Sequence, residues 1–340
     1  MSATGSVTPA TLALVNARIG DTLLVTPALR AIKAAWPDRP LVVRAHRERA
    51  PLLAGLPFVD RVEAIPRQPF RAAQRFVRRR YAIAFCWSDD PRLRSYCRRA
   101  AARVVAFERA GSPVDVAVPT PPSPMHAVEE RLLLPAALGI APAGKTLAYA
   151  VSPRERAWSG GFVAKLAPGG GDIVGITLAS FPGKAYRDWP IEHFTALCRA
   201  LADDEPTRRF LVLGDGASRP RAAALSRALP GRVVDATGRT TLRESAALIE
   251  RLRLYVGVDT GPTHLAGALG VPMVAVYHCF HRGRFLAPLD HPGLEVIEHP
   301  CPDGTCTRET PMAQIGVEPV LAACRRLLAR PDPRVSPLAA

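Results

Sequence analysis

The chain predicts an α/β protein built of two Rossmann-like halves, and three observations carry that expectation. Apolar runs of strand length alternate with helical or polar stretches along the chain. The alternation restarts after a stretch at 139–171 that holds Pro142, Pro153, Pro168 and Gly169, Gly170 and Gly171. A length of 340 residues also exceeds what one hydrophobic core usually organises. The expected domains are therefore 1–150 and 151–330.

In chain order, residues 12–15 read as the first strand, followed by a loop at 16–20 and a helical pattern toward Trp36. Asp21 stands where strand gives way to helix, a place that suits a helix N-cap. Thr26 and Pro27 form a second helix start, so an irregular turn is expected inside that pattern. Further strands are expected at 41–44, 62–65, 81–85 and 104–107, with a helix at 125–138 closing the first half.

The second half repeats the grammar. After a brief strand at 149–151, strands are expected at 173–177, 210–213 and 233–234, with helices at 191–201, 219–229 and 241–251. Thr241 followed by Glu244 makes a capping box at the start of the last of these. Gly214, Asp215 and Gly216 follow a strand directly, where ligands of open α/β sheets sit, although the same tripeptide is a common turn. A final helix is expected at 318–329.

The most legible stretch is LYVGVDTGPTHLAGALGVPMVAVY at 254–277. Two wholly apolar runs suit buried parallel strands, and the helix between them has readable ends, with Pro262 in its first turn and Gly270 in the left-handed position beyond its last. Such a unit points the N–H groups of Thr260, Gly261 and Thr263 above the carboxyl edge of the sheet, where the helix dipole favours an anion such as phosphate. An ordinary crossover with a well-capped helix has the same sequence pattern. His264, in the first turn, fits a ligand contact and local backbone capping equally.

The formal charge of +15 is unevenly shared: residues 1–150 carry 22 Lys and Arg against 11 Asp and Glu, and residues 151–340 carry 23 against 19. The densest basic runs are Arg71, Arg75, Arg78, Arg79 and Arg80, then Arg92, Arg94, Arg98, Arg99 and Arg103. A basic surface of this kind attracts anionic lipid, phosphorylated glycolipid or nucleic acid. With lysine only at 33, 145, 165 and 184, a compositional preference for arginine explains part of it. No nucleic-acid module or zinc-finger spacing accompanies the charge, which disfavours nucleic acid. Seven scattered cysteines without a secretory segment point to a reducing cytoplasm, no apolar run reaches membrane-spanning length, and the first ten residues read as a frayed terminus.

The 254–277 stretch resembles the D-[ST]-G-x-x-H segment of the bacterial heptosyltransferase family, glycosyltransferase family 9. Three further blocks resemble the family in the right order: NARIGDTLLVTPALRAIKAAWP, YRDWPIEHFTAL and DATGRTTLRESAALIERLRLYVG. The resemblance implies the GT-B architecture of two Rossmann-like domains facing a cleft. It implies a nucleotide-sugar donor, most commonly ADP-heptose, in the C-terminal domain, and a lipopolysaccharide-core or related phosphorylated glycan acceptor in the N-terminal one. It further implies inverting transfer in the cytoplasm, with no metal or other cofactor, and the basic first half suits peripheral contact with the anionic inner face of the inner membrane. Asp21 matches the family's proposed catalytic base, and Gly20 and Arg18 lie beside it on the acceptor side. Gly238 and Thr240 match the glycine-threonine loop beside the nucleotide, and Asp259, Thr260, Gly261 and His264 the donor segment. The family's usual lysine before the WP pair is Arg187 here, with Lys184 three residues earlier; either can offset diphosphate charge, but arginine does so as a fork and lysine as a point.

Cys301 and Cys306 bracket PDGT after His299, half of a metal-site spacing with no second pair to complete it, so no metal is expected. The family often carries cysteines in this loop, and their thiols could pair on oxidation. Two other functions stay open on sequence: a nucleotide-sugar epimerase, which needs acid and base carboxylates that the sequence does not identify, and a binding protein that keeps the fold without the reaction.

Overall fold

The computed structural model describes residues 9–65, 80–181, 183–332 and 334. The chain divides into two compact units, Met1–Ala150 and Val151–Ala340. The first holds a six-stranded parallel sheet of β1 (Ala10–Val15), β2 (Leu41–His46), β3 (Arg61–Ile65), β4 (Tyr81–Cys86), β5 (Ala101–Phe107) and β6 (Val116–Val118), in the order β3-β2-β1-β4-β5-β6. The second holds β7 (Ile173–Thr177), β8 (Arg209–Val212), β9 (Val233–Asp235), β10 (Leu254–Val258), β11 (Met273–Tyr277) and β12 (Leu294–Glu298), in the order β12-β11-β10-β7-β8-β9.

The two orders are the same pattern. Each sheet starts at a central strand, is built outward to one edge, then returns to the other side of the starting strand. This reversal opens a crevice at the carboxyl ends of β1 and β4 in one unit and of β7 and β10 in the other, the position where open α/β sheets hold ligands. All five residues of β7, β10 and β11 are buried, because helices cover both faces; that is why these strands read as unbroken apolar runs.

Several expectations are corrected. The helical pattern after β1 is two helices, Ile19–Leu24 and Thr26–Ala35, broken at Val25, beside the Thr26-Pro27 start where the irregular turn is expected. Asp21 is not the N-cap: Arg18 holds that position, and Asp21 lies in the first turn. Residues 149–151 form no strand. The 139–171 stretch is not all connection, because Pro153–Leu166 is a helix. Its proline sits harmlessly in the first turn, and Ser152 with Glu155 closes a capping box that outweighs the internal Gly160 and Gly161. β12 escapes sequence reading because it is an edge strand carrying Glu295 and Glu298, the former paired with Arg326 of the last helix, Val317–Ala329. β6 has only three residues and gives no periodicity.

Arg94 leaves the expected basic surface. It is 1% exposed and donates to the Phe107 and Ser112 carbonyls and the Ser112 hydroxyl, so it ties the loop after β5. Arg80, Arg92, Arg98, Arg99 and Arg103 are exposed, while Arg71, Arg75, Arg78 and Arg79 lie outside the described residues. Among the described residues no helix is long and apolar enough to cross a membrane.

Glu155 also joins two helices. Beyond its capping role it forms a two-pronged ion pair with Arg243 on the helix Leu242–Ile249, Arg243 Nη2 donating to its Oε2 at 2.7 Å. The Arg243 hydrogen bonds hold this carboxyl down at about 2, below its ordinary 4.5. A carboxyl depressed in the fold contributes stability above its unfolded pKa and loses it as pH falls toward the folded one. Acid titration of unfolding free energy should therefore show a decline between about pH 4.5 and about 2 that is smaller in Glu155→Gln. Equal slopes in the two proteins would remove this linkage.

Candidate functional site

The crevice between β7 and β10 is lined by the segments that leave the carboxyl ends of the two strands. After β7 the chain runs through 178–190, and its course is fixed from below. Ser180 donates its N–H and hydroxyl to Asp188, at 2.6 and 2.7 Å, and the fully buried Trp189 donates its indole N–H to Ile315. Between these anchors Arg187 reaches across to the end of β10. There its guanidinium meets the Asp259 carboxylate at 2.5 Å, with His264 Nε2 at 3.6 Å from the other oxygen.

This cluster is deeply placed. The side chains of Arg187, Asp259 and His264 are 13%, 5% and 5% exposed. Burial alone would raise the Asp259 pKa, but the adjacent His264 imidazole and the Arg187 charge outweigh it and hold the carboxyl below its usual range. Among the described residues, two buried nitrogens here, Arg187 Nε and His264 Nδ1, have no hydrogen-bond partner. The Arg187 Nε–H is a buried donor without a partner, and a bound anion would supply one; His264 Nδ1 carries a lone pair when the neutral ring turns its Nε2–H to Asp259.

Thr260 and Gly261 adjoin the same carboxylate by sequence. Thr260 occupies the N-cap of the helix Gly261–Ala268 in extended conformation without a side-chain cap, which leaves the helix start open to a ligand. Thr263 is different: its hydroxyl donates to the Val258 carbonyl and lies 3.1 Å from the Tyr255 hydroxyl, so that side chain anchors the turn from inside. At the far end Gly270 has φ +67°, the left-handed value expected for it.

Lys184 joins through Tyr186. Its ammonium and the Arg187 guanidinium both lie over the Tyr186 ring at 5.6 Å, and the Tyr186 hydroxyl is 2.7 Å from His281 Nε2. Burial and the Arg187 charge push His281 down to about 4, so this imidazole is neutral near pH 7. Sequence reasoning missed Tyr186, Asp188 and His281. Tyr186 and Asp188 flank Arg187 within the YRDWPIEHFTAL block, and adjacency was the only available signal.

Gly238 and Thr240 are not in this cluster; they follow β9, two strands beyond β7 on the same edge. Gly238 has φ +60°, and a Cβ on it would stand 2.9 Å from Gly216 Cα, so glycine is required there to pack the loop after β9 on the loop after β8. Gly238 N–H donates to the Gly214 carbonyl at 2.9 Å, and the Thr240 hydroxyl pairs with Ser245 at 2.7 Å. The Thr241–Glu244 capping box is present. Asp215 caps its own turn by accepting from the Ala217 N–H.

In the first unit Asp21 follows β1 at its crevice. Its carboxylate is 45% exposed and 3.1 Å from Arg131 of the helix Ala127–Ala136, a partner that sequence gave no means of finding at a separation of 110 residues. Arg131 in turn pairs with Glu130, and its carbonyl accepts the Trp87 indole N–H from the loop after β4. Arg18 bonds through its carbonyl to the N–H and hydroxyl of Thr22, and Gly20 lies in the first turn.

Residues 109–297 match the profile of glycosyltransferase family 9 (heptosyltransferase), more than half of the chain. The chain belongs to glycosyltransferase family 9. It is a glycosyltransferase by that membership, and the matched stretch contains Lys184, Arg187, Asp259 and His264 while beginning after Asp21. Lipopolysaccharide heptosyltransferase 3 of Escherichia coli is 23% identical over 340 residues, covering 91% of this chain and 96% of that protein. Among solved structures, E. coli ADP-heptose lipopolysaccharide heptosyltransferase II is 21% identical with a TM-score of 0.77, covering 94% of this chain and 98% of its own. The iron-containing dodecameric glycosyltransferase TibC from enterotoxigenic E. coli H10407 is more distant, 14% identical with a TM-score of 0.56, covering 94% and 76%. At these identities the structural likenesses establish the fold, that of the GT-B family 9 enzymes.

The cysteines depart from the sequence expectation. The disulfide is Cys279–Cys306, not Cys301–Cys306, and Cys301 is free. Cys279, which the spacing argument left out, is brought to this loop because β11 and β12 are neighbours and their carboxyl ends emerge side by side.

Proposed function

We propose that this family 9 enzyme transfers heptose from ADP-heptose to a lipopolysaccharide-core or related phosphorylated glycan, with inversion at the anomeric carbon. The observation that carries the donor assignment is the buried Arg187–Asp259–His264 cluster at an uncapped helix start, where the Arg187 Nε–H has no partner among the described residues. A diphosphate offers oxygens to the Arg187 Nε–H and to the N–H groups at the helix start. The names of the E. coli relatives supply the sugar and the nucleotide. The exposed Arg92, Arg98, Arg99 and Arg103 of the first unit suit an acceptor that carries phosphate.

In this reading Asp21 accepts the proton of the acceptor hydroxyl as that oxygen attacks the anomeric carbon. The bond from that carbon to the diphosphate oxygen breaks on the opposite face. The leaving oxygen's charge is taken by Arg187 and the N–H groups at the start of the helix Gly261–Ala268. Asp259 serves by orienting Arg187 and His264 rather than by touching the departing anion. As drawn, every step is carried by side chains and backbone, and none uses a metal.

The test of the donor is thermal unfolding across ADP, UDP, GDP and their sugars. A ligand at about 100 times its dissociation constant adds roughly 2.7 kcal/mol to the unfolding free energy. ADP and ADP-heptose should raise Tm most. Strong stabilisation by UDP or GDP with none from ADP would refute the nucleotide assignment.

A further inference from the structure

The carboxyl ends of β11 and β12 gather five metal-ligating side chains at one place. His278 and Cys279 follow β11; His299 follows β12, and Cys301 and Cys306 lie in the loop beyond. The ligand atoms of His278, Cys279 and Cys306 lie within 4.8 Å of one another, and so do those of Cys279, His299 and Cys301. Cys279 belongs to both triads. In a tetrahedral site with metal–sulfur bonds of about 2.3 Å, ligand sulfurs stand roughly 3.8 Å apart; Cys301 and Cys306 fall in different triads, so closing one four-ligand set requires a shift of the 301–306 loop as well as side-chain rotation.

The two imidazoles carry independent information. His278 Nε2 is 2.9 Å from the Thr310 carbonyl and His299 Nε2 is 3.2 Å from the Pro311 carbonyl. A carbonyl only accepts, so each ring bears its hydrogen on Nε2 and keeps a lone pair on Nδ1. His278 Nδ1 is 3.8 Å from Cys279 Sγ and accepts the Phe280 N–H, while His299 Nδ1 accepts the Cys301 N–H. An outward N–H bound to a backbone carbonyl is the arrangement that orients metal-ligating histidines, and here each Nδ1 lone pair is held by a backbone N–H that an ion would displace at one ring. The disulfide accounts for Cys279 and Cys306 alone. It leaves Cys301, whose thiol lies 3.2 Å from the Thr305 hydroxyl, outside the disulfide and beside the His299 imidazole.

We propose that Cys279, Cys301 and Cys306, with one of the imidazoles of His278 and His299, form a site for one thiophilic divalent ion, zinc(II) or iron(II), when the disulfide is reduced. A dithiol reductant cleaves Cys279–Cys306, itself becoming the cyclic disulfide, and the two electrons and two protons give two thiols. Ion binding then releases three thiol protons to solvent as three thiolates and one Nδ1 donate their electron pairs. The imidazole that ligates gives up its backbone N–H partner; the other keeps it. The site would brace the loop that carries Arg308, whose guanidinium lies over Phe280 at 5.3 Å and over Tyr186 at 5.9 Å, next to Arg187.

The experiment uses the full chain reduced with a dithiol under argon. Denatured thiol counts should rise from five to seven, and cobalt(II) titrated into the folded reduced protein should give thiolate-to-cobalt charge-transfer absorption saturating at one equivalent. Zinc(II) and iron(II), added separately, should each displace the cobalt, and the tighter competitor identifies the ion. Cys279→Ser and Cys301→Ser should weaken binding beyond the roughly 10- to 100-fold that loss of an outer-shell partner costs. His278→Ala or His299→Ala, but not both, should do the same. Cys198→Ser, outside the cluster, should keep the parent signal.

Cobalt absorption absent from the reduced, folded chain would overturn the site. So would parent-like binding by folded Cys301→Ser, or a count that stays at five in excess dithiol, since the ligands would then never become available. These readouts involve no nucleotide, so the proposal fails or stands separately from the donor assignment.

Discussion

Asp21→Asn is expected to lower turnover about 10²- to 10⁴-fold, equivalent to roughly 3 to 5 kcal/mol of barrier, while leaving donor affinity and stability nearly unchanged. The stability half rests on the geometry. Asp21 is 45% exposed and its ion pair with Arg131 is on the surface, where such pairs contribute about 0 to 1 kcal/mol; Arg131 retains Glu130 at 3.1 Å. The donor-binding half rests on placement, because the groups proposed to hold the diphosphate all belong to the other unit. Arg131→Gln separates a base from a merely structural carboxylate: it removes the ion pair and keeps the carboxylate, so it should cost much less turnover than Asp21→Asn. Near-normal turnover in a folded Asp21→Asn protein would move the base elsewhere in the first unit.

The second large effect is expected at Arg187. Removing one partner of a buried ion pair leaves the other charge uncompensated, at a typical cost of about 3 to 5 kcal/mol. Arg187→Ala should fall toward the lower end of that range, since His264 remains 3.6 Å from Asp259, and it should also weaken ADP binding. The double substitution Arg187→Ala with Asp259→Asn removes the stranded charge. It should recover most of the stability by denaturant unfolding and none of the nucleotide affinity by calorimetry. Recovery of both would mean that Arg187 acts only by neutralising Asp259, and the diphosphate role would be lost.

These two sites differ in how they could be read. The proposed donor side is legible in sequence because its parts are local: a strand, an open helix start and a histidine in its first turn all fall within 254–277. The segment leaving β7 was legible only in part. Arg187 could be named from its block, but that it pairs with Asp259, 72 residues away, depends on β7 and β10 being neighbours across the point where the sheet order reverses. Arg131 was invisible for the same reason. Arg94 was misjudged as surface because charge density along a chain does not show which guanidinium will find carbonyls inside.

Local chemistry by itself determined the strand runs β7, β10 and β11, the capping box at Thr241, the left-handed Gly270 and the repeated strand–helix alternation, because burial on both faces and the needs of helix ends constrain residue type over a few positions. Tertiary structure decided which cysteines meet and which arginines are buried. It also decided which carboxylates are paired and where the glycine loops touch. Those outcomes rest on strand order and on side-chain packing between segments tens to more than a hundred residues apart, and no local pattern encodes the order in which parallel strands are laid down.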